Sequence, residues 1–117
     1  MSVNKTIMAA LGGFGDPVMY GEYIAPAGTP KPSRYYTFNY SKSGVNFGDD
    51  APGHERYLIQ VHLFCPGGFD SVQRTVQTQQ RLFTAGLTWP DVTNASDADG
   101  QHIVFECETV EGASLIG

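Results

Sequence analysis

The sequence predicts an α+β domain, an antiparallel sheet of about four strands with one or two helices packed on one face. Two observations support this prediction. Residues 34–40, 54–65 and 101–110 alternate apolar and polar side chains, as half-buried strands do. Residues 70–85 instead have a helical start signal, helical spacing and a closing glycine. At 117 residues the chain is long enough for one core. We therefore expect a single domain, residues 1–117.

The first third of the chain, residues 1–33, is expected to hold a helix and a segment rich in Gly and Pro. Val3, Ile7, Met8 and Leu11 recur at helical spacing before Gly12 and Gly13 end the pattern. This predicts a short N-terminal helix. Residues 18–24, between turn signals, predict a short strand. Residues 34–117 then form the sheet-and-helix core.

The strands of this core begin with residues 34–40, whose aromatic side chains Tyr36, Phe38 and Tyr40 share one face. Residues 41–53 predict a long surface loop, and the apolar side chains in its middle favour docking onto another surface. In the next strand, alternate residues divide between a core face and a second face. The core set is Tyr57, Ile59, Val61, Leu63 and Cys65; the second set is Leu58, Gln60, His62 and Phe64.

The helix that follows is predicted to begin at a capping box formed by Asp70 and Gln73, and to end before Gly86. Its expected inward stripe consists of Phe69, Val72, Val76 and Phe83. Residues 87–93 predict a short strand that Pro90 restricts to a sheet edge or bulge. In the last strand the inward residues are expected to be Ile103, Phe105 and Cys107, and the outward ones His102, Glu106 and Glu108.

Charge and composition exclude several classes of protein. The net charge is −5 and the seven basic residues are scattered, which argues against a surface that grips a phosphate backbone. No apolar run is long enough to span a bilayer, and the N-terminus lacks a signal-peptide pattern. We therefore expect a cytosolic protein without a membrane partner, in which the two cysteines are reduced thiols.

Histidines and cysteines on the predicted strands are of the types that bind zinc, but their spacing argues against a metal site. His62 and Cys65 are an odd number of residues apart and therefore point to opposite faces. The same holds for His102 and Cys107. We expect no metal and no cofactor, and His54 has no partner of the right spacing.

Other catalytic or ion-binding patterns are incomplete. Asp97, Asp99 and Glu106 match three positions of an EF-hand loop, but Ala95 stands at its first position and a strand follows the loop. There is no Gly-x-Ser-x-Gly motif and no phosphate-binding glycine loop. The adjacent carboxylates at residues 49–50 are expected to be solvated. The chain is therefore predicted not to be an enzyme.

The second face of the predicted sheet is too apolar for a surface in water. It carries Leu58, His62 and Phe64, and strand pairing would add Tyr35 and Val104. A sheet with helices on one side and apolar residues on the other is often completed by another copy of the chain. The alternative is that the N-terminal helix or the Gly/Pro segment covers this face within one subunit.

Several segments taken together resemble the small tail-terminator or tail-completion proteins of long-tailed bacteriophages and prophages. The segments are YYTFNY, NFGDDAP leading into HERYLIQVHLFCPGG, RLFTAGLTW and DGQHIVFECE. They cover residues 34–111, about two thirds of the chain. The resemblance implies a structural virion protein that forms a ring, usually a hexamer, which caps the tail tube and joins tail to head. The stretch before residue 34 departs from the family pattern.

The resemblance also implies a location and partners. The protein would lie in the virion tail or neck after assembly in the host cytoplasm. It would contact itself, the major tail tube protein and head–tail connector proteins, while DNA passes without specific binding. Alternatives are a head–tail connector or minor capsid protein of the neck, or a small cytosolic ligand-binding module with a cleft beside His62.

Two groups of site residues follow from charge, loop placement and this resemblance. One group is predicted to contact neighbouring subunits or the tube, and consists of Val45, Phe47, Asp49, Asp50, Leu58, His62 and Phe64. The other is predicted to form an acidic lumen past which DNA slides, and consists of Asp97, Asp99, Glu106 and Glu108. Both are expectations about assembly rather than catalysis.

Overall fold

The computed structural model describes residues 3–21, 27–28, 32–42, 57–67, 71–98 and 100–109. Its helices are α1 (Val3–Gly12) and α2 (Ser71–Thr84). Its strands are β1 (Val18–Tyr20), β2 (Tyr35–Lys42), β3 (Tyr57–Cys65), β4 (Asp91–Asn94) and β5 (Gln101–Glu108). The strands form one sheet in the order β1-β2-β3-β5-β4. The predicted α+β class, with helices on one face, is confirmed.

The sheet differs from the prediction in strand number and in one strand direction. It has five described strands, and β1 runs parallel to β2 while the other three neighbouring pairs are antiparallel. The parallel pair is extended by hydrogen bonds from Tyr36 N to Pro17 O and from Gly21 N to Phe38 O. With one parallel pair, the sheet is mixed. The sequence did not predict this, because alternation along a strand identifies its two faces but not the direction of the neighbouring strand.

The core lies between the helices and one face of the sheet, where most alternate residues of the three central strands are apolar. The sheet contributes Tyr36, Phe38, Ile59, Val61, Leu63, Cys65, Ile103, Phe105 and Cys107. The helices and the segment after α2 contribute Val3, Ile7, Leu11, Leu82 and Leu87. Both cysteines are free thiols within this core. The inward sets predicted for β2, β3 and β5 are thus confirmed.

Helix α2 packs on the sheet with a different face from the one predicted. Thr78 and Leu82 are fully buried, whereas Val72, Val76 and Phe83 are 73%, 45% and 54% exposed. The prediction of an inward stripe through these three residues is wrong, and Phe69 lies outside the described residues. Polar contacts as well as apolar area therefore determine which face of α2 is buried.

Thr78 is the centre of these polar contacts. Its Oγ1 lies 2.8 Å from the hydroxyl of Tyr36 and donates to the carbonyl of Arg74 at 2.7 Å. A buried hydroxyl without a hydrogen bond is costly, so the orientation that joins Thr78 to Tyr36 is favoured. This turns the apolar stripe of α2 away from the core.

A second polar contact joins α2 to the loop after α1. Asp16 accepts hydrogen bonds from Arg34 and Arg74, and the Arg74 and Arg81 guanidinium carbons lie 4.3 Å and 4.2 Å from the centre of the Phe14 ring. Arg81 also fills the space beside Gly13, where any Cβ would collide with its guanidinium. These contacts direct both arginines of α2 toward the α1 side.

The segment after α2 has a shorter strand than predicted. Gly86 has a φ of 103°, a conformation suited to glycine, and its N–H bonds the carbonyl of Phe83 to end the helix. Leu87 forms only an isolated bridge with Thr109. The regular strand begins at Asp91, directly after Pro90, whose carbonyl accepts a hydrogen bond from Gln79 Nε2. β4 is an edge strand, as Pro90 led us to expect.

Candidate functional site: the second face of the sheet

The second face is the side of the sheet opposite the helices, and the strand register arranges it in four rows. From one end to the other these are Tyr35, Phe64 and His102; Thr37, His62, Val104 and Thr93; Asn39, Gln60, Glu106 and Asp91; then Ser41, Leu58 and Glu108. The first row is aromatic, the second mixes threonines with His62 and Val104, and the last two are polar and acidic apart from Leu58. The second face therefore has two chemically distinct ends.

The aromatic end is a stack that crosses three strands. The ring centres of Tyr35 and Phe64 lie 4.7 Å apart, and those of Phe64 and His102 lie 4.3 Å apart. Tyr35 is 8% exposed and Val104 9% exposed. Cross-strand aromatic pairs of this kind stabilise a sheet and favour a fixed register. Tyr35 and Val104 are thus buried, and His62, Phe64 and His102 are the half-buried side chains of this end.

The two histidines at this end are directly hydrogen bonded. His62 Nδ1 lies 2.7 Å from His102 Nε2, and His62 Nε2 lies 2.9 Å from Gln60 Oε1. Because the Gln60 oxygen can only accept, His62 Nε2 carries a proton and its Nδ1 accepts from the N–H of His102. The geometry fits two neutral imidazoles.

The electrostatics of the pair agree with this geometry. Burial lowers the pKa of His62, the neighbouring His102 lowers it further, and the carboxylate of Glu106 opposes both. Burial also lowers the pKa of His102, opposed by the charge of Asp97. Both imidazoles are thus neutral at pH 7, and the pair is an uncharged link between β3 and β5.

The acidic end is open to solvent and concave. Asp91 and Glu106 are directly opposite each other on neighbouring strands and both are exposed, with Glu108 in the adjacent row. A groove of about 640 Å³ runs over this end, with Leu58 and Trp89 among its lining residues. Like charges opposite one another weaken a sheet, so their presence favours a role outside folding.

The structure places five of the six predicted site residues that it describes on this one face. Leu58, His62 and Phe64 of the predicted contact group lie there, and so do Glu106 and Glu108 of the predicted acidic group. Asp97 is exposed in the turn between β4 and β5, where it bridges to Gly100. Contact and acidic residues thus share a face, on which His62 and Phe64 lie in the first two rows while Leu58 lies beside Glu108 in the fourth.

Other predicted residues fall outside the described part of the chain. They are Val45, Phe47, Asp49 and Asp50 of the loop, Asp99 of the acidic turn, and His54 before β3. The assignments of these residues stay predictions.

Two features were missed by sequence reasoning. The His62–His102 pair was missed because each histidine was compared only with cysteines on its own strand. The β3–β5 register places them in adjacent rows on one face. The second is the α2–β4 surface, which we define as Val72, Val76, Phe83, Trp89 and Val92. The helical spacing of Val72, Val76 and Phe83 is visible in the sequence, but it led us to expect these three residues in the core.

Searches for metal and membrane features gave negative results for the described residues. Within these ranges no group of three or more His, Cys, Asp or Glu side chains is arranged to hold a metal ion. Neither described helix has the length and apolar character needed to cross a bilayer.

Comparison with known proteins shows the fold alone. No family model matches the chain, and no curated protein matches it. Among solved structures four chains match. One of these, whose name describes no function, is 14% identical and has a TM-score of 0.55, with 91% of this chain and 90% of the other covered. This likeness shows that the architecture occurs in another chain of similar extent.

Proposed function

We propose that this chain is a structural, ring-forming subunit that caps a phage tail tube and joins it to the head, a tail-terminator or tail-completion protein. The observation that carries the proposal is the division of the second face into an aromatic end and an acidic end. The proposal also rests on the resemblance described above, because its strand motifs supply the residues of β2, β3 and β5 that form this face.

The acidic end fits the lumen of such a ring. Asp91, Glu106 and Glu108 lie on adjacent rows of one face and no described basic side chain lies among them. A surface of like charge to DNA lets a duplex pass without binding, because phosphates are repelled along its length. The groove over this end would widen the passage rather than hold a ligand.

The aromatic end fits a contact between neighbouring subunits or with the tube. Neutral His62 and His102 together with Phe64 give a rigid surface that can be desolvated without a large charge penalty. Neither described helix packs against it, since both lie on the other face of the sheet. In this arrangement the subunit contact and the lining of the lumen would be adjacent parts of the second face.

The test is assembly itself. We expect light scattering over a wide concentration range to show self-association, and negative-stain images to show rings or binding to the ends of purified tail tubes. Phe64→Ser is expected to weaken assembly. The matched control Val72→Ser changes an exposed apolar residue on the other side of the molecule. A strict monomer that ignores tube ends at all concentrations would reject the proposal.

The lumen assignment has its own test. Particles that carry Glu106→Gln together with Glu108→Gln are expected to assemble normally but to eject DNA more slowly, because the lumen has lost charge. Ejection at the wild-type rate would show that these carboxylates do not face the passage. Binding to portal-side connector proteins rather than to tubes would favour the alternative of a head–tail connector or minor capsid protein.

A small ligand-binding module is the second candidate, and one observation favours it. An apolar groove of about 650 Å³ lies between the helices, lined by Ala9, Ala10, Thr84 and Ala85, with Lys5 and Arg81 also lining it. A cleft of this size and character suits a small apolar anion. Saturable binding of a fatty acid by the monomer, lost in Ala9→Trp, would favour this candidate over the ring.

A further inference from the structure

The His62–His102 pair brings two ring nitrogens together on the second face. His62 Nδ1 on β3 and His102 Nε2 on β5 lie 2.7 Å apart, and both side chains are half-buried. The β3–β5 register places Val104 opposite His62 and Phe64 opposite His102, so the two imidazoles meet between neighbouring rows. Nitrogen donors from two different strands are therefore directed at one point on the face.

Gln60 determines which nitrogen of His62 is available. His62 Nε2 lies 2.9 Å from Gln60 Oε1, and because this oxygen can only accept, the proton of His62 is on Nε2. His62 Nδ1 then carries a lone pair that faces His102. Histidines that bind metal ions almost always donate their other ring N–H to an oxygen or water, which sets the tautomer and the ring orientation. Gln60 occupies this supporting position.

Phe64 holds the plane of the second imidazole. The ring centres of Phe64 and His102 lie 4.3 Å apart and their planes differ by 20°, which is a stacked arrangement. The His62 ring is tilted by 34° from that of His102. Side chains that are already ordered lose less conformational freedom when they bind a ligand. The two nitrogen donors are thus preorganised.

We propose that His62 and His102 bind a divalent ion of the Ni²⁺, Cu²⁺ and Zn²⁺ group, with His62 Nδ1 and His102 Nε2 as ligands. Imidazole suits these ions, whereas Mg²⁺ and Ca²⁺ take oxygen ligands. On binding, the proton on His102 Nε2 moves to Nδ1 of the same ring, so each neutral ring donates one lone pair. Within the described ranges no third His, Cys, Asp or Glu completes the set. Water fills the remaining positions, and the site is open rather than enclosed.

The distance between the two nitrogens is close to the distance that such an ion requires. With a Zn–N bond of about 2.05 Å and a tetrahedral angle, two imidazole nitrogens on one ion lie about 3.3 Å apart. The observed separation is 2.7 Å, so the pair opens by about 0.6 Å. The terminal torsion of a histidine has a broad energy minimum, and rotation of the rings supplies this opening. The ion therefore replaces the hydrogen bond without a change of strand register.

The charge around the pair favours a cation. Glu106 lies on the same face of β5, one row beyond His62, and Asp91 lies opposite Glu106. No described basic side chain lies in the four rows of the second face. Carboxylates at this range attract a divalent ion even where they do not ligate it. Charge and donor geometry thus favour the same kind of ligand.

The spacing within each strand does not reveal the pair. His62 and His102 are 40 residues apart in the chain and meet only through the β3–β5 register. The expectation of no metal site came from distances along single strands, whereas the ligands proposed here lie on two. The inference does not depend on the proposed function, because one chain supplies both ligands and no ring is needed.

Titration of the untagged protein with Ni²⁺ tests the site. By calorimetry at neutral pH we expect saturable binding of one Ni²⁺ per chain and no binding of Mg²⁺. His102→Gln removes one nitrogen ligand and is expected to weaken Ni²⁺ binding at least tenfold. Gln60→Leu keeps both ligands but removes the supporting acceptor, and should bind less tightly than wild type. The matched control is His54→Gln, which removes the remaining histidine of the chain and should leave binding unchanged.

Two further measurements identify the ligands and check the fold. Electron paramagnetic resonance of the Cu²⁺-loaded wild type is expected to show coupling to two imidazole nitrogens, and weaker coupling in either His62→Gln or His102→Gln. Ni²⁺ should raise the thermal unfolding midpoint of the wild type but not that of these two variants. The absence of saturable Ni²⁺ binding, or equal affinity in wild type and His102→Gln, would overturn the inference. Ni²⁺ binding that His102→Gln abolishes, in a chain that never forms rings, would support the inference and reject the proposed function.

Discussion

Asp16 and Arg74 join the loop after α1 to α2 through a hydrogen bond of 2.6 Å between Asp16 Oδ2 and Arg74 Nη1, with both side chains nearly buried. Arg34 adds a second bond to the same oxygen at 2.8 Å. Burial opposes ionisation of Asp16, but the hydrogen bonds and charges of the two arginines outweigh it, and the pKa of Asp16 is lowered. Asp16 is therefore ionised at neutral pH and holds the two arginines through charge and hydrogen bonds.

Removal of that charge is expected to destabilise the fold. We predict that Asp16→Asn lowers the free energy of unfolding at pH 7 by about 2–4 kcal/mol, since Arg74 is left nearly buried without its counter-charge. Because the folded pKa lies below the unfolded value, this stabilisation is present above about pH 4 and is lost as pH falls through the folded pKa. Urea unfolding at several pH values measures it, with the exposed Glu106→Gln as control. Equal midpoints for Asp16→Asn and wild type at pH 7 would contradict the prediction.

The His62–His102 pair predicts a second pH dependence, at higher pH. The pKa of each histidine is lowered by folding, so between the folded and unfolded values the unfolded chain binds more protons. The contribution to stability is complete above about pH 6.5 and falls as pH drops below it. We expect His102→Gln to flatten the dependence between pH 7 and pH 5. The measurement is denaturant unfolding of the wild type and of His102→Gln at each pH. If the two plots of unfolding free energy against pH run parallel, the histidine pair is not the source of the pH dependence.

Truncation of two adjacent residues of α2 should destabilise the fold by very different amounts. Leu82 is fully buried and Phe83 is 54% exposed. We predict that Leu82→Ala costs about 2–4 kcal/mol through lost apolar contacts and a cavity. Phe83→Ala should cost less than about 1 kcal/mol, since only its contact with Trp89 is lost. Thermal or urea unfolding at a protein concentration that keeps the chain monomeric separates the two. A larger loss of unfolding free energy for Phe83→Ala than for Leu82→Ala would instead support the inward stripe predicted from the sequence.

The thiol of Cys107 is expected to be inert in the native protein. Burial, with a smaller contribution from Glu108, raises its pKa to about 12, so the thiolate is scarce at neutral pH. Burial also raises the pKa of Cys65, although Arg74 and Arg34 oppose the shift. We predict that a thiol reagent modifies neither cysteine at pH 8 until denaturant is added. Rapid labelling of the native chain, followed by absorbance, would show that the core is open.

Local patterns were enough to predict most of the fold. The inward residues of β2, β3 and β5 follow from alternation, because a half-buried strand shows its two faces in the sequence. The end of α2 follows from Gly86, whose positive φ suits glycine. The same alternation is enough to place Glu106 and Glu108 on the outward side of β5.

The remaining features depend on contacts between distant residues. The face with which α2 packs is set by Thr78 and Tyr36, which are 42 residues apart and whose hydroxyls bond only in the folded state. The His62–His102 pair depends on the β3–β5 register, which alternation within each strand does not specify. Alternation within β1 likewise does not specify whether this strand runs parallel or antiparallel to β2.

The central β3–β5 pair also has a kinetic consequence. Its paired residues are between 36 and 50 positions apart in the chain, from Cys65 with Gln101 to Leu58 with Glu108. The segment between them contains α2, which can form locally within about a microsecond. Pairing across long separations slows folding, so the middle of the sheet forms late and the newly made chain exposes its strand edges for longer. In the cell, the rate at which this sheet closes would then set how long a new chain stays exposed to wrong pairing before it reaches the native state.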